Sequence, residues 1–249
     1  MEILRKRVVS INVSIVDYAA ALQQVVKMGK QRLPSYACFS NVHMAVEAHQ
    51  SSTFQHMVNN ATFAFADGMP LVFALKWLYG IKQNRIAGMD FMPDVLKACH
   101  RDKLSVFLFG STDDTLARLE KMIKREYTHV RIAGKISPPF RALSEKENQQ
   151  YIQQINDSGA HIVLVGLGCP KQETWMAQHS GQINAVLLGV GGAFGLYAGS
   201  AKRAPAWMRN VGLEWFFRLA QEPKRLFKRY AVTNTRFVWL LIRQFFTTP

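Results

Sequence analysis

The spacing of hydrophobic and polar positions changes in a regular order along this chain. Short apolar runs alternate with longer stretches that have a helical pattern. The short runs predict strands at residues 8–13, 36–40, 62–66, 105–109, 130–133, 161–165 and 185–190. The longer stretches predict helices at residues 18–28, 44–59, 70–79, 89–100, 113–126 and 144–158. This alternation predicts a Rossmann-like α/β fold, with a largely parallel sheet and helices on both faces.

One predicted strand leads directly into the sequence GLGCPKQE at residues 166–173. Gly166 and Gly168 allow a sharp turn with bare backbone, and Pro170 suits the first turn of a helix. A helix N-terminus that follows a glycine turn is suited to bind anions, and Lys171 would stand at its mouth. The segment therefore predicts a phosphate site, although a tight turn with exposed polar residues would give the same pattern.

Small and polar residues also gather at the predicted carboxyl ends of the other strands. These residues are Ser40, Asn41, Asp67, Gly68, Gly110, Gly191 and Gly192. Ligands of such sheets bind outside the carboxyl ends of the strands, so we expect these residues to share one site. Asp67 is the only carboxylate directly at a predicted strand end. It is a candidate general base, a candidate ribose ligand, or the N-cap of the next helix.

The composition changes near residue 200, which predicts an α/β domain at residues 1–199 and a helical basic appendage at residues 200–249. The appendage has ten lysines and arginines against two glutamates, so it holds +8 of the net charge of +14. Large aromatic residues are interleaved with these bases, and Pro223 is expected to separate two helices. This combination predicts an interfacial membrane helix. The residues assigned to an anionic membrane surface are Arg218, Lys224, Arg225, Lys228 and Arg229.

The sequence also allows other contacts for the appendage. Its aromatic residues could pack on the α/β domain, contact a second subunit in a homo-oligomer, or stack on RNA bases. An odd number of cysteines without CxxC spacing favours reduced thiols in the cytoplasm. No signal peptide is expected, and no run of ~18 uninterrupted apolar residues predicts a bilayer span.

Motifs for metals and common catalytic centres are weak or missing in the sequence. The seven histidines lack the HxxxH and HExxH spacings of zinc sites, and no P-loop or GxSxG motif occurs. Asp113 and Asp114 resemble an acidic pair that holds a metal, but acids in a first helical turn also favour the helix dipole. We therefore predict no metal site. His43 follows Ser40 and Asn41 closely and could reach the site at the strand ends, but a position on the surface is expected.

Seven short segments that occur in a fixed order along the chain resemble a known family. They are residues 40–41 (SN), 66–70 (ADGMP), 85–90 (RIAGMD), 166–173 (GLGCPKQE), 189–194 (GVGGAF), 202–205 (KRAP) and 212–225, which begins GLEW. With them, the chain resembles the WecG/TagA/CpsF glycosyltransferases of bacterial surface-polysaccharide synthesis over nearly its whole length.

The resemblance implies a metal-independent, inverting glycosyltransferase that uses no cofactor. The donor would be a UDP-sugar, of the UDP-hexose or UDP-N-acetylmannosamine type, and the acceptor a saccharide on polyprenyl diphosphate. The protein would be peripheral, at the cytoplasmic face of the bacterial inner membrane, with no nucleic acid partner. Asp67 would be the base, with Ser40 and Gln172 also at the reacting centre. The implied substrate-binding residues are Asn41, Gly68, Arg85, Gly88, Asp90, Gly110, Gly166, Gly168, Pro170, Lys171, Gly191, Gly192, Tyr197, Lys202 and Arg203.

The sequence departs from the family pattern at two positions. Gly195 stands where many members have an aspartate near the nucleoside, so Tyr197 or backbone groups would replace that contact, or the donor differs. Ser40 stands where threonine is common. The alternative from another class is a cytosolic NAD(P)-dependent oxidoreductase, but neither glycine turn gives GxGxxG with an acidic residue about 20 residues later. Which sugar is transferred stays open.

Overall fold

A computed structural model describes residues 3–221 and 223–247 of the chain. It begins with an antiparallel hairpin of two strands, β1 (Arg5–Val8) and β2 (Ile11–Ser14). The prediction of a single strand over residues 8–13 is therefore wrong. The physical reason is that Val9 adopts a positive φ of 58°, which reverses the chain between two short strands.

Six further strands form the main sheet. They are β3 (Ser35–Ser40), β4 (Phe63–Ala66), β5 (Ser105–Gly110), β6 (Arg131–Ile136), β7 (Ile162–Gly166) and β8 (Val186–Gly189). All six pair in parallel, in the order β4-β3-β8-β7-β5-β6. Their carboxyl ends therefore lie along one edge of the sheet. This arrangement confirms the predicted parallel α/β sheet and brings the predicted strand-end residues to one side.

Twelve α-helices in the described residues connect and flank the strands. They are α1 (Tyr18–Lys30), α2 (Val42–Gln50), α3 (Ser52–Asn59), α4 (Met69–Tyr79), α5 (Gly88–Asp102), α6 (Asp113–Glu126), α7 (Glu145–Asp157), α8 (Lys171–His179), α9 (Ala193–Tyr197), α10 (Ala206–Asn210), α11 (Glu214–Gln221) and α12 (Pro223–Thr247). The prediction of one helix over residues 44–59 is wrong, because Ser51 has an extended backbone. Its hydroxyl accepts a hydrogen bond from the Phe54 N–H at 3.2 Å and begins α3.

The main sheet is covered on both faces, as predicted. Helices α2, α3, α7 and α8 supply one hydrophobic core, in which Phe54 and Trp175 are buried. Helices α1, α5, α6 and α9 supply the other core, in which Phe91 and Leu119 are buried. Strands β3, β5 and β8 are buried at every residue, and such strands appear in sequence as continuous apolar runs.

The C-terminal helix α12 packs on the α/β domain along one of its faces. Leu226, Phe237 and Leu240 are buried there, and α12 contacts α2. Near the end of α12, the Gln244 side chain accepts a hydrogen bond from the Val9 N–H at 2.6 Å and donates one to a carbonyl of the hairpin at 2.8 Å. The predicted separation of two helices at Pro223 falls on residue 222, which lies outside the described residues; α11 is described up to Gln221 and α12 from Pro223. Within residues 3–221 and 223–247, no helix combines the length and hydropathy needed to cross a bilayer.

Gly166, at the end of β7, packs closely against Phe194 of α9, and substitution of this glycine tests that packing. A Cβ atom at Gly166 would lie 2.5 Å from Cδ2 of Phe194, which is buried. We expect Gly166→Ala to lower the free energy of unfolding by about 1–3 kcal/mol through overpacking. Chemical denaturation measures this change. Gly181→Ala is the matched control, because a Cβ there meets no atom within 4 Å. Equal losses in the two variants would contradict this packing.

Candidate active site

A cavity of about 1050 Å³ opens at the carboxyl edge of the main sheet. Its floor consists of the turns that follow the strands, and helices α11 and α12 form much of its opposite wall. Most of the predicted site residues line it. These are Asn41, Asp67, Gly68, Arg85, Gly88, Gly168, Gln172, Gly191, Gly192, Lys202 and Arg203. The structure therefore brings together residues that lie up to 162 positions apart in the sequence.

Several other predicted site residues do not line the cavity. They are Ser40, Asp90, Gly110, Gly166, Pro170, Lys171 and Tyr197. The Ser40 hydroxyl is fully buried one residue before Asn41 and has no hydrogen-bond partner among the described residues. Lys171 is exposed and its Nζ donates to the backbone carbonyl of Phe140 at 3.2 Å, outside the cavity. The Tyr197 hydroxyl donates to the carbonyl of Met89 at 3.1 Å.

The five residues assigned to the membrane surface do not all lie on one exposed face of the protein. Arg218 lines the cavity, where its guanidinium lies against Gly192, so it does not belong to the outward face of the appendage. The reason is that α11 turns this residue toward the sheet edge. Lys224 and Lys228 are exposed on α12. The side chains of Arg225 and Arg229 lie outside what the structure describes.

Asp67 lies where β4 ends, and its own N–H donates to the Ser40 carbonyl at 2.8 Å. The N-cap of α4 is Gly68, without a side-chain hydrogen bond, so Asp67 is not the cap of this helix. Burial raises the pKa of the Asp67 carboxyl to about 7, while the charges of Arg85 and Arg218 lower it. No described residue hydrogen-bonds to this carboxyl. Near neutral pH it can therefore exist as a carboxylate that accepts a proton.

A cluster of ionic contacts centred on Asp90 joins distant parts of the chain beside the cavity. The Asp90 carboxylate accepts hydrogen bonds from Arg85 at 2.7 Å, from Arg203, and from Arg209 at 3.3 Å. Arg85 also donates to Glu214 at 3.1 Å. The Nε–H groups of Arg203 and Arg209 are buried without a hydrogen-bond partner among the described residues. The arginines that line the cavity bring positive charge to it, which suits an anionic ligand.

Gln172 links the turns after two neighbouring strands. Its Oε1 accepts from the Gly168 N–H at 3.1 Å, and its Nε2 donates to the Gly189 carbonyl at 2.8 Å. The same Nε2 donates to Glu173 at 2.8 Å. Both groups of the amide are therefore engaged in holding the cavity floor. In this arrangement Gln172 positions the two turns, rather than offering a free amide to a ligand.

Sequence reasoning missed several residues of the cavity lining. They are His43, Glu173, Arg209, Glu214 and Trp215. The Glu173 side chain is buried, and its Oε2 has no described hydrogen-bond partner. The spacing of three residues between Glu173 and the buried Met176 was the available signal, because it puts both on the inner face of α8. No comparable signal marks Arg209.

The acidic pair Asp113 and Asp114 lies away from the cavity, at the exposed start of α6. Asp114 pairs with Arg118 one turn later, at 3.0 Å. In the part of the chain that the structure describes, no group of three or more His, Cys, Asp or Glu side chains is arranged to hold a metal ion.

Glu173 generates a prediction about stability and pH. Burial raises the pKa of its carboxyl from the ordinary 4.5 to about 7. The folded protein therefore keeps a proton that the unfolded chain releases, so this contribution to stability is present below pH 4.5 and is lost as the pH rises through about 7. Glu173→Gln stays neutral, and its stability relative to the unmodified protein should increase over that pH window. Denaturant titrations at several pH values measure this difference.

The control for that series is Glu145→Gln, because Glu145 is exposed at the start of α7. Its stability difference from the unmodified protein should stay flat over the same window. A flat difference for Glu173→Gln as well would show that the buried carboxyl is not protonated in the folded protein.

Comparison with known proteins agrees with the site. A family model for the glycosyl transferase WecG/TagA/CpsF family matches residues 6–249. The match includes the main sheet, the cavity and the C-terminal helices, and it confirms the resemblance carried by the seven segments. The family acts in the synthesis of cell-surface polysaccharides. The family match, together with the fold and the cavity, shows that the chain belongs to the WecG/TagA/CpsF family of glycosyltransferases.

Proposed function

We propose that this glycosyltransferase moves a sugar from a UDP-sugar to a hydroxyl of a saccharide on polyprenyl diphosphate, with inversion and without a metal. The observation that carries the proposal is Asp67, a carboxyl without a described hydrogen-bond partner and with a pKa of about 7, in a cavity bordered by glycine turns and arginines. A general base works best when its pKa is near the working pH. Asp67 meets this requirement and the geometry leaves it open to a ligand.

The proposed reaction is a single displacement at the anomeric carbon of the donor sugar. The Asp67 carboxylate accepts the proton of the acceptor hydroxyl while that oxygen forms a bond to the anomeric carbon. The bond between this carbon and the diphosphate oxygen breaks, and UDP leaves with the electron pair. One displacement inverts the configuration at the anomeric carbon. A single displacement needs no carboxylate that acts as a nucleophile on the donor sugar.

The negative charge that develops on the leaving diphosphate needs donors on the protein. Arg218 is well placed, because its Nη2 lies 3.1 Å from the position that a Cβ of Gly192 would occupy. Arg203 and Arg209 add positive charge at the cavity wall. Donors that are fixed before the reaction stabilise such charge without reorganisation. These arginines support a transfer that requires no metal ion at the diphosphate.

The acceptor lipid requires the protein to work at a membrane surface, and α12 supports this part of the proposal. Residues 223–247 contain six lysines and arginines and no acidic residue. Lys224, Lys228, Arg236 and Arg243 are exposed, as are the aromatic rings of Phe227 and Trp239. Each base near an anionic leaflet contributes roughly 1 kcal/mol. We infer peripheral attachment through the outward face of α12.

Substitution of Asp67 tests the chemistry. We expect Asp67→Asn to keep the fold and to lower kcat by about a hundredfold to ten-thousandfold, since it removes the base. In the unmodified protein, kcat/KM should rise with pH through about 7 and then level off, because only the ionised carboxyl accepts a proton. Radiolabelled transfer from a set of UDP-sugars to a synthetic polyprenyl-diphosphate acceptor measures both quantities.

Asp113→Asn is the control for that experiment, because Asp113 is exposed and lies outside the cavity. It should retain the activity and the pH profile of the unmodified protein. Normal turnover by Asp67→Asn would remove Asp67 from the chemistry.

Charge reversal on α12 tests the attachment. Lys224→Glu with Lys228→Glu should weaken binding to phosphatidylglycerol-containing vesicles, because the exchange replaces attraction by repulsion at the outward face. Lys121→Glu with Lys146→Glu is the matched control, since these exposed lysines change the net charge equally but lie on α6 and α7. Vesicle flotation should separate the two double variants. Equal loss of binding in both would show that only net charge matters, and not the face of α12.

A further inference from the structure

Helix α4 of the α/β domain exposes two large aromatic side chains on one side. Phe73 is 52% exposed and Trp77 is 48% exposed, while Leu71 and Leu75 on the same helix are buried. The spacing of four residues puts both aromatic side chains on one face of the helix. Exposed aromatics that adjoin one another are typical of an interaction surface rather than of a solvated helix.

The exposed aromatic side chains of α4 adjoin others at the end of α12. The rings of Trp77 and Phe245 are stacked, with centroids 4.4 Å apart and planes inclined by 7°. Phe246, which is 80% exposed, contacts Phe245 edge-on. Together Phe73, Trp77, Phe245 and Phe246 form a surface that we call the aromatic face. It is shared between the α/β domain and the C-terminal helix.

The charge of these two helices indicates what the aromatic face contacts. Residues 69–79 contain one lysine and no acidic residue, and residues 223–247 contain six bases and no acidic residue. A second copy of this chain would bring two such positive surfaces together, which costs free energy. An anionic lipid surface is complementary in charge, and aromatic rings beside bases are the composition of helices that lie in the bilayer interface.

The aromatic face also reaches the rim of the cavity. Phe73 of α4 and Val238 of α12 both line the cavity, and each is more than half exposed. Leu241 lines the cavity beside them. An apolar border therefore leads from the bilayer side of the protein to the cavity that contains Asp67, which lies two residues before the start of α4.

We propose that α4 and α12 form a single docking face for an anionic bilayer, and that the lipid chain of the acceptor reaches the cavity across the apolar rim between these helices. The second half rests on the proposed function, which requires a lipid-linked acceptor. The first half does not, because docking can be measured without any turnover. The role of α4 makes the α/β domain itself part of the membrane contact, in addition to the outward face of α12.

The test uses the full chain with Trp77→Ser and Phe246→Ser combined. Phe140→Ser is the matched control, because this aromatic is 76% exposed but follows β6 at the opposite edge of the sheet. Binding to vesicles of phosphatidylethanolamine with phosphatidylglycerol is measured by flotation, and folding by thermal unfolding. We expect the double variant to bind at least about tenfold more weakly, since it removes two aromatic side chains that would enter the interface. The control should bind as the unmodified protein does.

Turnover separates this inference from the proposed function. The double variant should lose transfer to a long-chain polyprenyl-diphosphate acceptor in vesicles and retain transfer to a short-chain, water-soluble analogue. Val238→Asn should raise KM for the long-chain acceptor more than for the short-chain one. If the unmodified protein uses neither acceptor, the proposed function is wrong, whereas the docking face is still judged by flotation.

Three results would overturn the inference. One is vesicle binding by the folded double variant that equals that of the Phe140→Ser control. Another is an equal loss of turnover with both acceptors, which would place the effect inside the cavity. The third is a dimer of the unmodified protein that the double variant dissociates without any change in vesicle binding, because the aromatic face would then join two copies of the chain.

Discussion

The ionic cluster at Asp90 is the interaction on which the cavity depends. One carboxylate at the start of α5 accepts hydrogen bonds from Arg85, Arg203 and Arg209, and so fastens the C-terminal helices over the carboxyl edge of the sheet. Partly buried charges are costly to desolvate. Loss of the shared carboxylate would leave Arg203 and Arg209 without an acidic partner among the described residues, while Arg85 would keep Glu214. Among the described residues, the wall formed after residue 200 would then have no ion pair with α5. Asp90 does not line the cavity itself, but it holds in place arginines that do.

The same electrostatic arrangement determines how Asp67 can work. Burial alone would keep its carboxyl protonated, while Arg85 and Arg218 favour the carboxylate, and the balance leaves the pKa near 7. Arg85 is divided between Asp90 and Glu214, so it cannot neutralise Asp67 through a direct ion pair. In the proposed mechanism, the cluster supplies positive charge for a diphosphate and still leaves the Asp67 carboxylate available as a base. Both functions arise from one network of charges beside the glycine turns.

The parallel sheet and its glycine turns could be predicted from the sequence, because fully buried strands and small strand-end residues leave a strong local pattern. The hairpin at β1 and β2 and the break at Ser51 could not, since each depends on the backbone of one residue. The site was predictable where a residue follows a strand directly, as Asp67 does. It was not predictable where tertiary packing assigns the role. Arg218 turns into the cavity and Gln172 uses its amide to join two turns, and no local pattern distinguishes these outcomes. For the buried Glu173, the spacing to Met176 on α8 was the one local signal.

The central claim is that the cavity binds the nucleoside diphosphate of a sugar donor. The most direct measurement is an equilibrium titration of the full chain with UDP and, separately, with NADH, by calorimetry in the absence of added divalent metal. A sugar-nucleotide site built from glycine turns and arginines predicts saturable binding of UDP, which Asp67→Asn retains, and no binding of NADH. Tight binding of NADH with no binding of UDP would contradict it and would favour a nicotinamide-dependent oxidoreductase.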